Sequence, residues 1–286
     1  TNNINLKKIF SELIELSTIA LKPIVNFQKD LVNSHNETNE EFIHNVVSLN
    51  SYSIQDLFSL IPQSTLTENI NKQSEIVKEI IKEKPNVAAT TLLNLIKYNL
   101  ATKVEFSVFE RTLKPSAFVC KSAFPIRPIL LSILQIFIQD FEKSRIDVSL
   151  DACEKSLNID YDSLFVSLYY LMDNSIKYCC PNTKYKIIFK QEADDFSILF
   201  IMISIKITEY DLKNITTRGF RSEIARKVNA EGSGIGMFRV LKTLKLNDAE
   251  LKITPRCNSF TRKINGFEYE ANEFKVIFKN QKDWLR

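Results

Sequence analysis

Apolar residues recur three and four apart through the first part of the chain, then gather into shorter alternating or continuous runs. The first pattern predicts helices at Leu6–Leu21, Glu40–Ile61, Glu68–Lys84 and Val87–Leu113. Pro23 kinks or breaks the first of these, and Asn33–Asn39 forms a polar interlude. Pro62 with Gln63-Ser64-Thr65 reads as a turn, and Pro85 bends or breaks the helical run between Glu68 and Leu113. Two long helical arms around one turn make a helical hairpin. So much apolar surface per helix suits pairing with a second hairpin, giving a four-helix bundle as a homodimer.

From about residue 117 the pattern becomes mixed. Strands are predicted at 117–123, 146–150, 185–191, 196–207, 249–254 and 268–278, and helices at 127–143, 161–179 and 235–245. Arg256 to Gly266 reads as a hairpin connection or loop. Grouped strands with intervening helices indicate an α+β sandwich with helices on one face. The expected division is an N-terminal helical segment 1–39, a hairpin 40–114 and an α/β sandwich 115–286, with Lys114-Pro115-Ser116 as the linker.

Composition narrows the possibilities. A chain of 286 residues with 44% hydrophobic content can build two modest cores. Its net charge of +4 is spread out, and no basic run with interleaved aromatics marks a nucleic-acid surface. The cysteines, Cys120, Cys153, Cys179, Cys180 and Cys257, are odd in number and lack CxxC spacing, which fits buried thiols in a reducing cytosol. Two histidines argue against a histidine-based zinc site. The longest apolar stretches, Ile129–Ile138 and Ile198–Ile203, fall short of the roughly 18–20 residues a membrane helix needs. Nor do the first residues resemble a signal peptide. No membrane segment and a cytoplasmic location are therefore expected.

Of five glycines in the chain, three fall in Gly232-Ser233-Gly234-Ile235-Gly236, and Gly219 lies shortly before them in Thr217-Arg218-Gly219-Phe220-Arg221-Ser222. The glycine stretch runs into Met237–Leu244, which has helical periodicity. A glycine loop opening a helix presents free N–H groups and the positive end of a dipole, which suits phosphate. GxGxG also occurs in ordinary turns, so the loop acquires meaning from a second motif, Asp173-Asn174-Ser175-Ile176-Lys177-Tyr178. On a helix Asn174, Lys177 and Tyr178 share a face. The amide can ligate Mg²⁺, the ammonium can meet a phosphate, and the phenol can flank a sugar or base. Any one of them alone is more simply a surface polar residue.

In this order, Asn174-Ser175-Ile176-Lys177-Tyr178, Arg218-Gly219-Phe220-Arg221-Ser222 and Gly232–Met237 resemble the ATP-binding domain of sensor histidine kinases, over about residues 120 to 280. The superfamily includes DNA gyrase, mismatch-repair ATPases and a heat-shock chaperone. The resemblance implies that Asn174 holds Mg²⁺, Lys177 contacts phosphate and Tyr178 lines the nucleotide pocket. It further implies that Arg218 and Arg221 belong to a mobile lid and that Gly232, Gly234 and Gly236 cradle phosphates of ATP.

Two departures stand out. The family's Asp-x-Gly-x-Gly box, whose aspartate reads the adenine amino group, is absent: no glycine lies between Asn182 and Arg218, and Asp211 reads as the start of the helix that comes after the box. Tyr170 stands where the family commonly has a second polar residue. Losing one buried, hydrogen-bonded anchor weakens nucleotide binding by about 1–3 kcal/mol.

His44 divides the functional readings. The apolar face of its helix is Ile43, Val47, Ile54, Leu57, Phe58 and Ile61, whereas steps from His44 reach Ser48, Ser51 and Gln55, so its imidazole is expected to be exposed. A lone surface histidine is ordinarily unremarkable, but the resembled kinases carry their phosphoacceptor on the first hairpin helix. The acid that usually comes next to it is here Asn45, which cannot take a proton. His35 lacks an amphipathic context and is the weaker candidate. The resemblance thus implies a two-component histidine kinase that autophosphorylates His44 from ATP and passes phosphate to the receiver domain of a response regulator. The alternatives are an ATP-independent histidine phosphotransferase or pseudokinase scaffold, and an ATPase in which His44 plays no part.

Overall fold

A computed structural model describes residues 39–281 except 69, 114–118 and 231. The predicted helix Leu6–Leu21, His35 and the Lys114-Pro115-Ser116 linker lie outside the described residues. Helix α1 covers 39–60 and stops where Pro62 disfavours helical backbone at the residue before it. The expected turn after Pro62 instead holds a short helix α2 (Gln63–Glu68), succeeded by a 3₁₀ turn and helix α3 (Gln73–Glu83). The expected break at Pro85 is present: α3 ends at Glu83, and Pro85 starts α4 (Pro85–Leu113), at a first-turn position where its missing N–H is not needed.

The α/β part contains β1 (Ser122–Pro125), α5 (Ile126–Lys143), β2 (Asp147–Leu150), β3 (Ser156–Ile159), α6 (Tyr161–Tyr178), β4 (Lys184–Glu192) and β5 (Asp195–Ile205). Then come α7 (Glu209–Asn214), α8 (Glu223–Val228), α9 (Gly236–Lys245), β6 (Ala249–Thr254), β7 (Thr261–Ile264) and β8 (Phe267–Phe278). The sheet order is β2-β4-β5-β8-β6, with β7 also on β8; β2 and β4 run parallel and the other neighbours antiparallel. The fold is α+β: a helical hairpin succeeded by a sheet with helices packed against it.

The expected strand 117–123 is displaced. β1 starts at Ser122 and pairs with β3, a strand the periodicity did not predict, in a separate two-stranded sheet. β7 likewise occupies part of the segment expected as a connection. Along β5 the alternating residues Phe196, Ile198, Phe200 and Met202 face the main core, joined by Tyr185 and Ile187 of β4 and Phe274, Val276 and Phe278 of β8. Ile129, Ile133 and Phe137 of α5 and Leu164, Leu168 and Leu171 of α6 close the other side.

Helix α4 does not stand apart from this core. Ala101 and Val104 are buried within it, and polar ties repeat along the helix. Lys97 pairs with Asp140 of α5, and Arg111 reaches Asp160 at 2.5 Å. Asp160 is also the N-cap of α6, accepting from the Ser163 backbone N–H at 2.9 Å. Substituting Asp160 by alanine is therefore expected to lower stability by about 1–2 kcal/mol, measurable as a reduced thermal midpoint. Burial alone would raise the Asp160 pKa, but the Ser163 hydrogen bonds and the Arg111 charge hold it below the ordinary 3.8. A depressed carboxylate stabilises above its unfolded pKa and loses that contribution as pH falls through the folded value. The difference between wild type and variant should accordingly narrow below about pH 4.

Candidate functional site

The site is assembled around α6. Its first turns are buried, while Asp173, Asn174, Lys177 and Tyr178 emerge half-buried at its C-terminal end. Helix α9 packs beside it and begins at Gly236. A Cβ on Gly236 would lie 3.1 Å from Asn174 Nδ2 and 3.6 Å from the Tyr170 ring, so glycine here lets the loop sit against the asparagine. That Nδ2 is buried and has no hydrogen-bond partner among the described residues. Lys177 Nζ meets Asp173 Oδ2 at 2.5 Å, one helical turn away.

The loop before α9 depends on glycine at one position above all. Gly234 has φ +73°, and a Cβ there would stand 2.6 Å from the Phe220 carbonyl oxygen and 2.7 Å from the Gly219 carbonyl carbon. The two glycine motifs are in backbone contact, since Gly219 N–H donates to Gly234 O at 3.1 Å. Arg221 holds the same loop. Its guanidinium donates to the carbonyls of Ala230 and Gly232, each at 3.0 Å, and to those of Ala225 and Asn229.

These elements line one cavity of about 720 Å³. It gathers Asn174, Lys177 and Tyr178 from α6, Arg221 from the segment between α7 and α8, and Gly232, Gly234 and Gly236 from the loop. His44 and Asn45 of α1 line it as well. Arg218, which the resemblance puts in the lid, is absent from this lining, as is Gly219. Arg218 points instead to the hairpin, 3.6 Å from Glu41. Arg221 does line the cavity, but as the clamp of the loop's carbonyls.

The end of β5, after which the missing box would come, leads through Lys206 and Ile207 directly into α7. Thr208 and Asp211 form a reciprocal cap at the start of that helix: Asp211 Oδ2 accepts from the Thr208 backbone N–H and hydroxyl at 3.0 and 2.7 Å. Asp211 lines the cavity, with one carboxylate oxygen committed to this cap.

Sequence reasoning missed the polar cluster under His44. Glu105 of α4 accepts from Asn45 Nδ2 at 3.1 Å, Tyr170 Oη at 2.5 Å and Arg239 Nη1 at 2.9 Å. The other arm of Arg239 pairs with Glu41 of α1 at 2.6 Å. Burial pushes the Tyr170 phenol well above its ordinary value and keeps it a proton donor to Glu105. For Arg239 burial works against the charge, yet the surrounding Tyr170, Glu105 and Glu41 oxygens outweigh it and raise the pKa. A charged residue inside an apolar helical run was the available signal at both Glu105 and Arg239.

No family model matches the sequence, and no curated protein does. Solved structures do match in shape. The mycobacterial sensor histidine kinase MprB aligns over 56% of this chain and 99% of its own, with TM-score 0.47 and 14% identity. The Acinetobacter baumannii histidine kinase AdeS aligns over 78% of this chain and 96% of its own, with TM-score 0.47 and 13% identity. The catalytic domain of ThkA covers 56% of this chain, and 95% of it is covered, with TM-score 0.44 and 14% identity. All three are histidine kinases.

Among the described residues no helix is long and apolar enough to cross a membrane, and no group of three or more His, Cys, Asp or Glu could hold a metal. A divalent ion in this cavity would thus rely on Asn174 and on oxygens brought by a ligand. The orphaned Asn174 Nδ2 is an N–H donor suited to an oxygen of such a ligand, whereas a cation would be met by the amide oxygen Oδ1. The N-terminus of α9, without a side-chain cap at Ile235, suits the anionic part of such a ligand.

Proposed function

We propose that the protein is an ATP-dependent protein histidine kinase in which His44 receives the γ-phosphoryl group of a nucleotide bound in the cavity of its own chain. The observation that carries this reading is that His44 and the glycine loop line the same cavity. An unprotonated imidazole nitrogen attacks the γ-phosphorus, an N–P bond forms, the bond to the β,γ-bridging oxygen breaks, and ADP leaves. The proton on the other imidazole nitrogen then passes to solvent, so no strong base is needed beside His44. Asn174 would hold Mg²⁺, which when bound supplies charge neutralisation to the phosphates. Lys177, partly neutralised by Asp173, and the N–H groups at the start of α9 would meet the phosphates; Tyr178 would flank the sugar or base.

The same reading takes the chain to be a homodimer that passes its phosphoryl group to a response-regulator receiver domain. Ile43 and Val47 of α1 are each 57% exposed, as is Leu92 of α4, and Ile54 and Ile96 are also exposed. That face is the one the periodicity marks as apolar, and a second hairpin would cover it.

Titration calorimetry with ATP and Mg²⁺ tests nucleotide use. Binding is expected, with discrimination between ATP and GTP of less than about tenfold, because the box is absent, Asp211 is tied into the cap of α7 and one such anchoring group contributes about 1–3 kcal/mol. No heat up to millimolar ATP would reject the kinase reading in favour of an ATP-independent phosphotransferase.

A further inference from the structure

Arg239 sits in the first turn of α9, one helical turn after Gly236, so the helix that opens from the glycine loop also carries its side chain. It is also the point where three other helices converge, pairing with Glu41 of α1 and Glu105 of α4 and contacting the Tyr170 hydroxyl and ring of α6. Glu41 and Asn45 flank His44 on α1, and each is held by this cluster, Glu41 through Arg239 and Asn45 through Glu105. Tyr170 stands where the resembled kinases commonly have a second polar residue, and here its hydroxyl donates to Glu105.

We infer that Arg239 and Glu105 are positioning residues that fix the His44 segment of α1 over the glycine loop, so that the acceptor is set by the same helix that holds the phosphates. Glu105 is not the base for His44. Both of its carboxylate oxygens are already engaged, Oε1 by Tyr170 and Arg239 and Oε2 by Asn45. What the acid on α4 supplies is geometry: it anchors Asn45 from across the hairpin, compensating for the acid that α1 lacks next to His44. Because the ion pairs are nearly buried, with side-chain exposures of 11% for Arg239 and 9% for Glu105, salt should screen them little.

The inference rests on the kinase reading, and two measurements on the full chain keep them separable. ATP affinity by calorimetry and the rate of His44 labelling at saturating ATP are compared for wild type, Arg239→Lys, Glu105→Gln and Tyr170→Phe. The first two should bind ATP within about twofold of wild type and label about 10–100-fold more slowly, the loss expected when an acceptor is misplaced by about an ångström. Tyr170→Phe should fall between them and wild type. Without nucleotide, amide exchange across 39–60 should rise in Arg239→Lys while 161–178 stays protected. If Arg239→Lys and Glu105→Gln do not fold, Tyr170→Phe is read by the same two measurements. Labelling at the wild-type rate, or a loss explained wholly by weaker ATP binding, overturns the inference, as does unchanged exchange at 39–60. Wild type that binds no ATP refutes the kinase reading instead, and the exchange result still decides whether the cluster holds α1.

Discussion

Gly234→Val is expected to reduce ATP affinity by about 100-fold or more, equivalent to about 3 kcal/mol, while leaving the chain folded. Two costs coincide at this position. With φ +73°, a β-branched residue is strained by about 1–3 kcal/mol. In addition, its Cβ would be driven to 2.6 Å from the Phe220 carbonyl oxygen, which is backbone and cannot swing away. The loop must therefore open, breaking the Gly219–Gly234 hydrogen bond and spreading the N–H groups at the start of α9. Gly232 provides the control. A Cβ there meets only the flexible Arg221 side chain, at 3.8 Å, so Gly232→Ala should lose much less affinity despite its own positive φ. Calorimetry reads both variants, and circular dichroism reports whether the fold persists. Equal affinities for wild type and Gly234→Val would show that the loop does not hold the nucleotide.

His44→Gln is expected to remove the phosphoryl label completely, with ATP affinity preserved. The imidazole is exposed on α1 yet lines the cavity, so its loss removes the acceptor without opening a core. Label on wild type should be acid-labile and base-stable, as a phosphoramidate is, and His35→Gln should leave it intact. Label that persists without His44 would assign the acceptor elsewhere.

Much of the fold was legible because long elements carry their own pattern. The apolar spacing of α6 and the run of β5 placed both within a residue or two, and β6 was predicted with its observed bounds. The two missed strands are four residues each. β7, Thr261-Arg262-Lys263-Ile264, is largely exposed and lacks an apolar pattern of its own; its available signal was the two-residue Asn265-Gly266 turn, both residues at positive φ, that joins it to β8. The cavity was legible in parts, since asparagine, lysine and glycine carry chemistry that a sequence displays. The cluster of Glu41, Glu105, Tyr170 and Arg239 was not, because charged residues on helices read as solvated until the tertiary fold brings them together. Arg218 and Arg221 illustrate the same limit. Similar in type and close in sequence, one turns to the hairpin and the other is spent on carbonyls of the loop.

The most direct test of one site within one chain is labelling of an equimolar mixture of His44→Gln and Gly234→Val, allowed to exchange subunits and then given γ-labelled ATP and Mg²⁺. One partner retains the nucleotide loop and the other retains the acceptor. Phosphorylation within a chain predicts label on wild type and none on either variant in the mixture. Label appearing on the Gly234→Val subunit would contradict this account, since its His44 would then have been served by the cavity of its partner.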